Sequence, residues 1–117
     1  MTFQERVAEW LIKCFGNTKA QETPERALRF LEEAFELVQA VGIEPSEAYE
    51  LLLYVYSRDI GAAYQEVGGV MTTFSALCTS LKIDMQEAAE VELTRIEPLT
   101  EKIRAKQAAK PQTLRKN

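Results

Sequence analysis

The sequence predicts an all-α fold, a bundle of four to five helices, and three observations carry the prediction. Apolar residues recur at three- and four-residue spacings from Thr2 to about Lys106. No segment alternates apolar and polar residues as a half-buried strand does. Glycine and proline fall between the periodic segments, with Gly68, Gly69 and Pro98 as the exceptions.

The first helix is expected over Thr2 to Phe15, where Phe3, Val7, Trp10, Leu11 and Cys14 share one side. The stretch GNTKAQET then breaks the pattern. Thr23 and Pro24 form an N-cap and first-turn pair for a second helix to about Val41, with Gly42 as the residue that closes it. A third helix follows Pro45 and is apolar around much of its circumference. The fourth runs from about Ala63 to Leu81. The fifth starts at Asp84, with Glu87 at the capping-box spacing, and Pro98 ends or kinks it. Residues 1–110 make a single domain, and 111–117 a basic tail expected to be disordered.

Composition removes several chemistries. The 117 residues contain no histidine, which excludes Ser-His-Asp and Cys-His catalysis and zincin chemistry. Any hydrolysis must rest on carboxylates, lysines or a hard cation held by oxygen. No GxxxxGK loop is present, and the two cysteines, Cys14 and Cys78, suggest neither a zinc site nor a disulfide framework. No run of 18 apolar residues and no apolar signal segment occurs, so a cytoplasmic protein that does not enter a membrane is expected. Charge is uneven. All 18 acids and eight of the 14 basic residues lie in residues 1–101, a net of −10, and the remainder carries +6. So acidic a body argues against nucleic acid as a partner.

Two helices hold the candidate site. In RFLEEAFELVQA, the apolar residues Leu28, Phe30, Leu31, Ala34, Phe35, Leu37, Val38 and Val41 cover about half of the second helix. Arg29, Glu32, Glu33, Glu36 and Gln39 fill the rest, a pattern that a solvated face with an Arg29–Glu33 pair would also give. The fourth helix sets Val67, Val70, Met71, Phe74, Leu77, Cys78 and Leu81 on one stripe, and small or hydroxyl residues on the other. Glu66 is the only acid between Asp59 and Lys82. So uncharged a helix is expected to be central and buried, and a buried Glu66 would need a cation or an arginine. Glu32, Glu33, Glu36 and Glu66 together would suit a divalent ion.

These residues resemble the all-α nucleoside triphosphate pyrophosphohydrolases of the MazG-like superfamily, whose helices carry E-E-x-x-E and then E-x-x-D. Here EEAFE supplies Glu32, Glu33 and Glu36, EVGG supplies Glu66, and LKIDMQEAAEVEL is similar to the family's next segment. The likeness runs from about Ala27 to Glu97. It implies a nucleoside triphosphate substrate cleaved to the monophosphate and pyrophosphate, with Mg²⁺, or Mn²⁺ in its place, held by Glu32, Glu33, Glu36 and Glu66. Glu33 and Glu36 are the candidates for activating water, and Lys102, Arg104 and Lys106 for phosphate contacts. The resemblance also implies a homodimer or homotetramer. Three positions depart from the family pattern. Gly69 stands where the second motif has Asp, and Glu92 and Ile96 stand where a lysine and an asparagine are often found. A relative that kept the helices as a binding module and lost turnover is the alternative.

Overall fold

The computed structural model describes residues 1–109, so the expected tail at 111–117 lies outside the described residues. Six α-helices follow one another: α1 (Phe3–Ala20), α2 (Thr23–Ala40), α3 (Pro45–Tyr56), α4 (Ala63–Leu81), α5 (Met85–Ile96) and α6 (Thr100–Ala109). A 3-10 turn at Glu97–Leu99 joins the last two, and no strand occurs among the described residues.

The helix ends follow from local chemistry. Thr2 and Glu5 form a reciprocal capping box on α1, with N–H···O distances of 2.7 and 3.1 Å. Gly16 interrupts α1 with φ of 81°, a conformation that favours glycine, and the chain turns helical again up to Ala20. Gly42, at φ 97°, closes α2. There the Ile43 N–H donates to Val38 O at 3.0 Å and the Gly42 N–H to Gln39 O at 3.1 Å, satisfying carbonyls the helix leaves open. Pro98 ends α5 because it cannot extend the hydrogen-bond ladder, and the helix resumes at Thr100.

The chain divides into two compact units, Met1–Ala34 with the segment from Glu87 onward, and Phe35–Gln86, and α2 belongs to both. In the first unit α1 packs on α6, around the buried Cys14, Ala20, Glu25 and Leu93. Arg6 ties α1 to the later helices through ion pairs with Glu90 and, at 3.2 Å, Glu97. The Arg26 guanidinium lies 5.2 Å over the centre of the Phe15 ring.

The second unit departs from expectation. In α3 every residue but Ala48 is exposed, and α4 is exposed from Ala63 through Phe74. Val70, Met71 and Phe74, expected in a core, are 41%, 50% and 37% exposed. Cys78, 6% exposed, is the one buried side chain of this unit. The all-α class therefore holds, while α4 is not the buried centre of a single-chain bundle. Its lack of charge does mark a surface that wants cover, but the helices of this unit do not supply it.

The buried side of α2 also differs. Phe30, Leu31 and Phe35 are 56%, 44% and 44% exposed, whereas Glu25 is 4% exposed. A stripe through Glu25, Arg29 and Glu32 is covered, and Leu28, Ala34, Leu37 and Val38 of the apolar side are half-buried as well, so hydropathy alone identifies only part of what α2 covers.

Candidate functional site

The E-E-x-x-E residues stand on one unbroken helix, where three- and four-residue spacings bring Glu33 and Glu32 alongside Glu36. Their surroundings differ. Glu32 is half-buried and accepts from Arg29 Nη1 at 3.0 Å. Glu33 and Glu36 are exposed. Arg29 also reaches Glu25, at 3.5 Å, so one guanidinium links carboxylates a turn before it and a turn after it.

Glu66 sits in the first turn of α4 and is exposed, which corrects the expectation of a buried carboxylate. Its carboxylate folds back over Gly61, so close that a side chain at Gly61 would collide with Oε2. A Cβ at Gly69 would lie 3.9 Å from Glu66 Oε1, ordinary van der Waals contact. An aspartate at position 69 would thus stand beside Glu66, as the family motif would have it. Asp59 cannot take that role from within the helix, because α4 begins only at Ala63.

Among the described residues, no three cysteine, aspartate or glutamate side chains are gathered closely enough to hold a metal ion. The donor set has the right chemistry for a hard cation, with carboxylate oxygens only. To answer a cation, Glu32 would have to loosen its hold on Arg29.

The basic residues of α6 divide in their roles. Arg104 Nε donates to Cys14 O at 2.6 Å and Nη2 to Lys13 O at 2.7 Å, and Nη1 lies 3.4 Å from Glu101. The break at Gly16 deprives those carbonyls of their normal helical partners, and Arg104 takes their place. Expected to meet phosphate, Arg104 is instead a clamp between α6 and α1. Lys102 and Lys106 are exposed. On α5, Arg95 donates to both oxygens of Glu92 at 2.9 and 2.7 Å, and these hydrogen bonds hold the Glu92 carboxyl below the usual range. Glu92 is therefore committed to a neighbour where the family often has lysine.

The sequence reading missed Glu25. Gln107 Nε2 donates to both of its oxygens, at 3.2 and 3.0 Å, inside the first unit. Its one sequence signal was position: Glu25, Arg29 and Glu32 follow at i, i+4 and i+7. Gln107, far along the chain, left no such sign. Cys14 and Cys78 are buried free thiols, and burial pushes the Cys14 thiol up despite the nearby Thr100 hydroxyl and Arg104.

Compared with family models, with curated proteins and with solved structures, the chain matches none.

Proposed function

We propose that the chain is a Mg²⁺-dependent nucleoside triphosphate pyrophosphohydrolase of the MazG-like kind, producing the monophosphate and pyrophosphate. The observation that carries this reading is the pairing of two motifs on two helices. Glu32, Glu33 and Glu36 line α2, and Glu66, the lone acid of α4, stands exposed in its first turn. On α2 the acids at three- and four-residue spacing repel one another, and a divalent ion would relieve the repulsion.

Glu32, Glu33, Glu36 and Glu66 would hold the ion. When bound, Mg²⁺, or Mn²⁺ in its place, supplies charge neutralisation for the phosphate oxygens. Glu33 and Glu36, both exposed, are the carboxylates that would accept a proton from the attacking water. Lys102 and Lys106 have exposed ammonium groups that suit phosphate contacts, whereas Arg104 is spent on α1. A homodimer or homotetramer belongs to the same reading.

The second reading, a helical binding module without turnover, is favoured by Gly69, which removes a carboxylate beside Glu66. Pyrophosphate release from a panel of nucleoside triphosphates with Mg²⁺ separates the two. Release lost in Glu36→Ala and Glu66→Gln supports the enzyme. No release from any triphosphate leaves the binding module.

A further inference from the structure

The negative charge of the chain belongs to one of its two units. Residues 35–86 hold seven acids and two basic residues, a net of −5, and the first unit carries the other 11 acids against 12 basic residues. The first unit answers its acids from within. Arg6 holds Glu90 and Glu97, Arg29 holds Glu25 and Glu32, and Arg95 holds Glu92. In the second unit Glu36, Glu50, Asp59 and Glu66 are exposed and make no ion pair among the described residues.

Three of these carboxylates stand beside uncovered apolar residues. Tyr49, Leu52, Leu53 and Tyr56 of α3 follow the i, i+3, i+4, i+7 pattern of a helix face made to be covered, and all are exposed. Glu50 borders that stripe, three residues before Leu53. Val67, Val70, Met71 and Phe74 repeat the pattern on α4, and Glu66 lies one turn before Val70. Asp59 precedes Ile60, which is wholly exposed.

We propose that α3 and the first half of α4 dock a cationic amphipathic helix of another protein. Its apolar side covers the stripes, and its lysines or arginines meet Glu50, Asp59 and Glu66. Charge decides between the occupants such a surface could take. A second copy of this unit would set −5 against −5, and an anionic lipid surface would be repelled in the same way, whereas a basic helix is attracted. The dimensions agree. The 12 residues of α3 span about 18 Å, so a helix of about 15 residues reaches along the whole stripe. Eight stripe residues of about 200 Å² each, roughly half exposed, offer about 800 Å², the share one partner gives to a standard interface. Tyr49, Tyr54, Tyr56 and Tyr64, all exposed, supply the residue type that anchors such contacts. The proposal needs neither an ion nor hydrolysis, so it stands apart from the nucleotide reading. The homodimer or homotetramer of that reading is left to other surfaces of the chain.

Two synthetic helical peptides of about 18 residues test the idea, alike in a leucine stripe but flanked by lysine in one and by glutamate in the other. They are titrated onto the full chain with EDTA present, so that no divalent ion takes part. The lysine peptide should bind at least about 30-fold more tightly at low salt, and the difference should largely vanish at about 1 M NaCl, where the screening length is about 3 Å. It should also raise amide protection in α3 and α4. Glu50→Gln combined with Glu66→Gln, both at exposed positions, should weaken the lysine peptide about five-fold without weakening its glutamate twin. Equal binding of the two peptides, binding of neither, or protection gained in the first unit instead overturns the proposal. So does a chain that self-associates through α3 and α4 and keeps them protected when the lysine peptide is added, because a second copy is then the occupant.

Discussion

Replacing Arg104 with alanine tests whether α6 is a stabilising strut or a free basic arm. The side chain donates two hydrogen bonds to carbonyls orphaned by the turn at Gly16, at 2.6 and 2.7 Å, and one of these belongs to the buried Cys14. Hydrogen bonds from a charged donor contribute about 1.5–3 kcal/mol each. The side chain is half exposed, which puts both at the low end of that range. The expected loss is about 2–3 kcal/mol, and a melting temperature lower by about 10 °C for a chain of this size. Arg104→Lys should lose about half as much, since an ammonium can follow only one of the two carbonyls. Urea unfolding followed by circular dichroism, at one fixed protein concentration, gives the free energies. A loss below about 0.5 kcal/mol, the level of an ordinary surface substitution, would refute the clamp.

Three further outcomes follow from the same contacts. Millimolar Mg²⁺ or Mn²⁺ with nucleotide should raise the wild-type melting temperature, Glu66→Gln should erase most of that rise, and Gly69→Asp should enlarge it; a wild type indifferent to metal refutes the ion site. Glu25→Ala should cost about 2 kcal/mol, because it removes the acceptor of Gln107 and one of the two carboxylates on Arg29, and Glu25→Gln should cost less; equal losses in urea unfolding would show that the carboxylate is not what matters. For Cys14, burial raises the folded thiol's pKa, so its contribution is full below the unfolded thiol's value near 8.5 and is lost as pH rises through the folded value. Wild type should therefore lose stability above about pH 8.5 faster than Cys14→Ser, by at most about 1.4 kcal/mol per pH unit; matching slopes refute this.

Helix ends were legible in the sequence because they are decided locally. Pro45 opens α3, Gly42 closes α2 and Ala63–Leu81 bounds α4, each through backbone chemistry within a few residues. The break at Gly16 was legible too, though not the helical turn beyond it. Which side of a helix is covered was not legible. Hydropathy tells which surface is costly to leave in water, not whether the cover lies in the same chain. On α4 it lies nowhere among the described residues of its own unit. On α2 an ionic stripe is covered alongside part of the apolar side, and its anchor Glu25 depends on Gln107, a partner that no local pattern announces. Of the candidate site, the four acids could be placed on helices from sequence, but the diversion of Arg104 and Glu92 to protein partners could not.

Arg29 changes how the acidic motif must be read. Its guanidinium contacts Glu32 and Glu25, so the motif is not three bare charges on a wet face. Glu32 is partly neutralised, and releasing it to a cation would expose Arg29 to the positive charge of that ion. The carboxylates able to answer a metal at least cost are those in the second unit, Glu36 and Glu66. Both stand on the helices of the unit whose apolar stripes lack cover.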